Sequence, residues 1–192
     1  MASKSGLTLR ARPNGRVVAH LEPQTDYGSP TVVWAARRRG DWLGVIATAL
    51  PNNRVGWLDV QHDRPRMWRS RYTITADLSS RIVSLRRGTK VVRTLPVTVG
   101  APSTPTPVGR FEVTDKLVPR AGSGYGCCIV ALSGHQKFLR PGWAGGDRIA
   151  IHGSPSQAVK TAASAGCLRA RDSDLRALMR TVPLGTPVVI RA

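Results

Sequence analysis

One histidine and one cysteine have the residue types and neighbours that nucleophilic chemistry requires. His152 ends an apolar run and precedes Gly153, and Cys167 follows Gly166 fifteen residues later. A cysteine attacks as its thiolate, and a nearby imidazole takes the thiol proton or, as imidazolium, stabilises the thiolate. The interval is long enough for the chain to fold back and bring the two side chains together. The spacing therefore predicts Cys167 as a nucleophile and His152 as its base.

The residues around Cys167 suit the other needs of acyl transfer. Gly166 lets the backbone approach a reacting carbonyl, so the backbone N–H groups of Ala165 to Cys167 are predicted to form an oxyanion hole. Arg169 carries a planar fork of donors that fits a substrate carboxylate. The alternative for the same sequence is a buried, inert cysteine.

Zinc is the other chemistry that these atom types allow. The residues with suitable atoms are His135, His152, Cys127, Cys128 and Cys167. Their spacings match no usual ligand pattern, so the sequence predicts no metal site and no cofactor. Cys127 and Cys128 are expected to pack in a strand, because adjacent cysteines are too strained for an ordinary disulfide.

Short strands and two helices are predicted to hold the His–Cys pair in place. An apolar strand over 148–151 ends at His152, and Ser154 followed by proline is typical of the start of a helix, here over 155–163. Behind Cys167, apolar residues at helical spacing predict a second helix over 172–182. A closing strand is expected at 188–190.

The remainder of the chain consists of short alternating segments separated by turns, which predicts a mainly β fold. Residues 1–65 are expected to form a small barrel, and residues 66–192 a second domain that begins as an antiparallel meander. The polar stretch 61–71 is interpreted as the linker. The long, glycine-rich stretch 115–146 predicts a hairpin with a mobile flap.

The charge balance is strongly basic and uneven. Lys and Arg total 29 against 11 acidic residues, a net charge of +18, and most of the excess lies in residues 66–192. Such a surface attracts nucleic acid, an anionic membrane or an acidic wall polymer, although solvated arginines explain it equally well. A hydrophobic share of 41% excludes a disordered chain, and three cysteines exclude a disulfide-dense framework. No apolar run of about 18 residues is present, so no transmembrane segment is predicted.

Four motifs, in order, resemble one enzyme family. Ile-Ala-Ile-His-Gly at 149–153 and Ser-Ala-Gly-Cys-Leu-Arg at 164–169 resemble the signature of the YkuD-type L,D-transpeptidases. Thr-Pro-Val-Gly-Arg-Phe at 106–111 resembles the family's Thr-Pro-x-Gly-x-Phe loop, and Pro-Leu-Gly-Thr-Pro-Val at 183–188 resembles its closing strand. In the N-terminal part, Gly-Asp-Trp-Leu-Gly-Val at 40–45 and Gly-Trp-Leu at 56–58 resemble bacterial Src-homology-3-like domains.

The resemblance implies a Src-homology-3-like barrel followed by a β-sandwich-like catalytic domain with short helices. It implies that Cys167 is acylated by a peptidoglycan tetrapeptide at its third residue, expels the terminal D-alanine and passes the acyl group to an amine of another stem, which gives a 3→3 cross-link. His152 would be the base, oriented by the carbonyl of Gly153. By position, the pocket and oxyanion residues would be Ser164, Ala165, Gly166 and Arg169, with Tyr125 matching a lid tyrosine.

One position departs from many members of that family, which have a second histidine where this chain has Ala165. His135 is either a substitute for it or a structural histidine of a hairpin. The implied partners are peptidoglycan stem peptides, with anionic wall polymers as a further candidate and no specific nucleic acid. The implied location is the extracytoplasmic cell envelope, with an export signal removed from this chain; the oligomeric state is not predicted.

Two other functions fit parts of the sequence. Water in place of the acceptor amine would give an L,D-carboxypeptidase or endopeptidase on the same stems. A non-catalytic basic module that binds wall polymer or nucleic acid would explain the charge but not the ordered motifs, and it predicts that Cys167 is buried and unreactive.

Overall fold

Strands dominate the structure, a computed structural model that describes residues 1–139, 141–143, 145–156 and 158–192. The N-terminal part contains β1 (Leu7–Arg10), β2 (Val17–Leu21), β3 (Trp34–Arg39), β4 (Trp42–Ile46), β5 (Gly56–Asp59) and the short helix α1 (Val60–Asp63). The remainder contains β6 (Tyr72–Asp77), β7 (Ile82–Arg87), β8 (Lys90–Gly100), β9 (Gly109–Leu117), β10 (Ile129–His135), β11 (Arg148–His152), β12 (Ala162–Ser164), β13 (Leu168–Ala170), α2 (Asp172–Thr181) and β14 (Pro187–Arg191). The mainly β fold is confirmed.

The N-terminal strands form one five-stranded antiparallel sheet in the order β2-β1-β5-β4-β3. The alternation in β1 buries Leu7 and Leu9, which pack with Val45 and Leu58 in a small core. Period-two alternation puts these side chains on one face of the sheet.

The second sheet has the order β12-β8-β13-β11-β10-β9-β14-β6-β7, and β8 also pairs with β7. The first half of the long strand β8 lies against β7, and its second half against β13 and β12. The sheet therefore closes on itself around a core that includes Phe111, Leu132 and Ile151. Leu175 and Leu178 of α2 are fully buried in the same core, so the helix predicted over 172–182 and the closing strand β14 are both confirmed.

The helix predicted over 155–163 is wrong. Its last two residues belong to the strand Ala162–Ser164, and the described residues before that strand are bends and coil, with Gln157 outside the described residues. The backbone bonds to the edge of the large sheet instead, as where Val99 N–H donates to Thr161 O at 2.9 Å. A short segment with little apolar surface forms a weak helix alone, so pairing with an available strand prevails.

The expectation for the adjacent cysteines is also wrong, because Cys127 and Cys128 form a disulfide. They lie in the turn that leads into β10 rather than within a regular strand. The hairpin predicted within 115–146 is present as β9 and β10, which pair antiparallel. The stretch after β10, predicted as a flap, includes Arg140 and Ala144, which lie outside the described residues.

Polar contacts join the N-terminal sheet to the larger one. The Asn52 side chain donates to His135 O at 2.7 Å and accepts from His135 N–H at 2.8 Å. Glu112, fully buried on β9, accepts a hydrogen bond from Trp34 N–H, and burial raises the pKa of this carboxyl well above its usual range. No helix among the described residues is long and apolar enough to cross a membrane.

Candidate active site

A cavity of about 340 Å³ lies at the end of β11. Its wall includes His152 from the end of that strand, Cys167 from the turn before β13, and Arg169 from β13. Parallel pairing of β11 with β13 sets His152 beside Arg169 and Ile151 beside Leu168. Two neighbouring strands therefore bring the predicted base and nucleophile to the same cavity.

The His152 imidazole is buried in a single orientation. Its Nδ1 lies 2.6 Å from Gly153 O. A carbonyl oxygen only accepts hydrogen bonds, so Nδ1 carries the proton and the neutral ring keeps a lone pair on Nε2. Burial lowers the pKa of His152 to about 4, and the nearby Arg169 guanidinium acts in the same direction. At neutral pH this imidazole is an uncharged proton acceptor.

The Cys167 thiol is free and partly exposed. Burial raises the pKa of Cys167, while a backbone hydrogen bond from Ala150 and the Arg169 guanidinium act in the opposite direction. The hydrogen bonds of the described residues include none between this thiol and His152. A raised thiol pKa and a lowered imidazole pKa both favour a thiol beside a neutral imidazole over the thiolate and imidazolium pair considered from the sequence.

Ser164 fixes the turn that carries Cys167. Its hydroxyl donates to Cys167 O at 2.6 Å and accepts from Gly166 N–H at 3.1 Å. The Gly166 N–H is thus occupied and is not an oxyanion donor in this arrangement. The Cys167 N–H makes no hydrogen bond among the described residues, so it remains as the backbone donor next to the nucleophile.

Gly153 is enclosed by the residues that support His152. A Cβ atom at this position would lie 2.1 Å from Asp172 Oδ1 and 2.9 Å from Cys127 N. The same carboxylate oxygen of Asp172 accepts from Cys127 N–H at 3.1 Å. The close approach of these groups requires glycine here, which explains the His-Gly pair in steric terms.

The sequence and the fold both match known proteins. The YkuD family model, described as the L,D-transpeptidase catalytic domain, matches residues 71–190. A putative L,D-transpeptidase YkuD of Bacillus licheniformis is 31% identical over 120 residues, which cover 62% of this chain and 65% of that protein. The chain belongs to the YkuD family of L,D-transpeptidase catalytic domains. The chain covers just under two thirds of the length of that relative.

Solved L,D-transpeptidases share the fold. The Enterococcus faecium L,D-transpeptidase C442S mutant superposes with a TM-score of 0.53 at 19% identity, covering 84% of this chain and 74% of that one. The L,D-transpeptidase 3 of Mycobacterium tuberculosis, solved with a faropenem-derived adduct, gives a TM-score of 0.51 at 17% identity, covering 72% of this chain and 73% of that one. At such identities the likeness establishes the architecture alone.

Most of the site residues predicted from the YkuD motif border the cavity. Ala165, Tyr125 and Arg169 line it together with the His–Cys pair. The Tyr125 ring lies edge-on to the imidazole of His152, with centroids 4.9 Å apart. Ser164 and Gly166 lie directly behind the wall, in the turn that holds Cys167.

His135 does not replace the second histidine found in many YkuD-type enzymes. Its Nδ1 lies 2.9 Å from Asp147 Oδ2, and its Nε2 lies 2.7 Å from Thr48 O in the N-terminal part. It therefore connects the two sheets as a structural histidine. Within the described residues, no group of three or more His, Cys, Asp and Glu side chains could hold a metal ion.

Gln136 and Thr104 are residues of this YkuD site that sequence reasoning missed. The Gln136 carboxamide lines the cavity and reaches Ala165 O, and the Thr104 hydroxyl donates to Ser164 O at 2.9 Å. Both contacts join stretches far apart in sequence, so no local pattern marks them. The only signal was indirect: Thr104 belongs to a proline-rich loop, residues 101–109, that runs into the Thr-Pro-x-Gly-x-Phe motif.

Proposed function

We propose that this chain is a peptidoglycan L,D-transpeptidase that forms 3→3 cross-links through a thioester on Cys167. The observation that carries the proposal is a cavity lined by both a free thiol and a buried imidazole whose Nδ1 is bound to Gly153 O. Family membership supports acyl transfer as the reaction. The tautomer of His152 supports its role as the base, because it leaves the Nε2 lone pair to accept the thiol proton.

Acylation follows from this arrangement. His152 Nε2 accepts the thiol proton as Cys167 Sγ attacks the carbonyl carbon of the third residue of a tetrapeptide stem, so that an S–C bond forms. The negative charge on the carbonyl oxygen is stabilised by the Cys167 N–H. When the C–N bond breaks, the imidazolium returns the proton to the departing D-alanine amine, which leaves a thioester.

In the transfer step an amine is the nucleophile and the Cys167 sulfur is the leaving group. An amine of a second stem attacks the thioester carbon and gives its proton to His152 Nε2. The S–C bond then breaks, and the sulfur recovers the proton from the imidazolium. Buried imidazole with a low pKa suits this cycle, because it is unprotonated before each attack.

The charge of the cavity supports a substrate that carries carboxylates. Arg169 lines it, whereas the Arg148 guanidinium is already bonded to Leu132 O and Thr114 Oγ1. The Nε of Arg169 is buried and has no hydrogen-bond partner among the described residues. We assign Arg169 to a substrate carboxylate and Tyr125 to covering the reacting group.

The N-terminal sheet and the basic surface have proposed roles of their own. We propose that residues 1–65 form a Src-homology-3-like domain that adds affinity for the wall, and that residues 66–192 form the catalytic domain. The net charge of +18 suits anionic polymers of an extracytoplasmic envelope.

Incubation with purified disaccharide-tetrapeptides tests the proposal. The expected product is a dimer that has lost one D-alanine and whose fragmentation places the new bond between two third residues. Release of D-alanine without a dimer would indicate a carboxypeptidase instead. A Cys167→Ala protein that forms the same dimer would contradict the thioester route.

A further inference from the structure

The side chain of Gln136 lies where three loops of the cavity meet. It is almost fully buried, at 5% exposure, directly after β10. Its Nε2 lies 3.0 Å from Pro105 O, 3.1 Å from Ala165 O and 3.3 Å from Thr104 O. Its Oε1 accepts from Phe138 N–H at 3.1 Å. One carboxamide therefore links the proline-rich loop, the loop after β10 and the turn of the nucleophile.

The peptide unit between Ala165 and Gly166 is held at both ends. Its carbonyl oxygen, Ala165 O, accepts from Gln136 Nε2, and its N–H, on Gly166, donates to Ser164 Oγ. Ser164 Oγ also donates to Cys167 O. A peptide plane is rigid, so two anchors on opposite edges fix its orientation.

Gly166 transmits that orientation to the nucleophile. Its φ is +115°, in a region that favours glycine, and a Cβ atom there would lie 2.1 Å from Gln136 Nε2. The carboxamide thus packs directly on the Gly166 backbone. The next peptide carries the Cys167 N–H, so the orientation of that N–H depends on the plane that Gln136 holds.

The neighbours of the Gln136 nitrogen also select the residue type. Three carbonyl oxygens surround it, and each can only accept a hydrogen bond. An amide NH2 group donates to them, whereas a carboxylate would bring a fourth acceptor, with charge, into the same space. A side chain without donors would leave buried carbonyls without this partner.

We propose that Gln136 is a positioning residue that fixes the Ala165–Gly166 peptide and thereby aims the Cys167 N–H at the oxyanion of the acyl-transfer step. This inference rests on the proposed function, because it assigns the residue to the oxyanion site of that reaction. It also brings a side chain to the backbone of Ala165, the position at which many family members have a histidine, since the carboxamide reaches that residue's carbonyl from another loop.

Two reactions of the Cys167 thiol distinguish loss of the oxyanion donor's position from a general loss of thiol reactivity or folded protein. Acylation by a carbapenem passes through an oxyanion, whereas alkylation by iodoacetamide does not. Both rate constants would be measured by intact mass on the full chain, for the wild type, Gln136→Met, Gln136→Glu and the exposed control Gln61→Met. The readout is the ratio of the acylation to the alkylation rate constant, which cancels changes in thiolate fraction and in the amount of folded protein.

We expect the ratio to fall at least about 10-fold for Gln136→Met and Gln136→Glu, somewhat less than deletion of an oxyanion donor causes, and to stay at the wild-type value for Gln61→Met. An unchanged ratio in both Gln136 variants, including the case in which both rates fall together, would overturn the inference. A wild type that is alkylated but not acylated would overturn the proposed function and this inference with it. The two failures are therefore distinguishable. If only the Gln136 inference fails, the wild type still reacts in both assays.

Discussion

The buried imidazole of His152 should make the stability of this protein depend on pH in a specific way. The pKa of His152 is lowered from 6.5 to about 4 in the folded chain, chiefly by burial. Below pH 6.5 the unfolded chain binds a proton that the folded chain does not bind, so the free energy of unfolding falls as the pH falls. The fall ends below about pH 4, where both states are protonated.

The size of the effect follows from the two pKa values. At about 1.4 kcal/mol per pKa unit, the full loss is about 3 kcal/mol, and about 2 kcal/mol of it occurs between pH 7 and pH 5. His152→Asn removes the titrating group, and its amide can still donate to Gly153 O. His62→Asn, at an exposed position of α1, is the matched control.

Urea unfolding of the three proteins at pH 7 and pH 5 measures this difference. The wild type and His62→Asn should each lose about 2 kcal/mol more than His152→Asn over that interval. Equal losses in all three proteins would refute the assignment of His152 as a buried neutral imidazole. They would also remove the physical basis for its role as a base at neutral pH.

Two further substitutions test the supports of the site. Ser164→Ala removes the hydroxyl that bonds both Cys167 O and Gly166 N–H. The rate of carbapenem acylation, measured by stopped-flow absorbance, should therefore fall about 10-fold or more. An unchanged rate would contradict the role of this turn. Asn52→Ala removes both hydrogen bonds to the His135 backbone, so the free energy of unfolding should fall by about 1 to 3 kcal/mol in urea; a loss below about 0.5 kcal/mol would show that these bonds do not stabilise the junction of the two sheets.

The sequence was sufficient to expect His152 and Cys167 at one cavity and to predict two of the elements near them. An apolar run before His152 and helical spacing after Cys167 predicted β11 and α2, because burial of one face leaves a direct periodic trace in the sequence. The family motif predicted the contact between His152 and the Gly153 carbonyl. These features depend on neighbours close in the chain.

The predictions that were wrong or missing concern contacts between segments that are distant in the chain. The segment before Ser164 was predicted as a helix because its first residues fit a helix start. In the structure its end instead forms backbone hydrogen bonds with the edge of β8. The pKa shifts of His152 and Cys167 could not be predicted either, because desolvation of the two side chains depends on the packed fold. Gln136 carried no motif, and its role is visible only through the carbonyl of Ala165, in another loop.

The most direct test of the central claim is the intact mass of the full chain after incubation with a carbapenem. The thioester route predicts one stable adduct on the wild type, located at Cys167 by peptide mapping, and none on Cys167→Ala. A folded wild type that remains unmodified, or an adduct that persists on Cys167→Ala, would contradict the account.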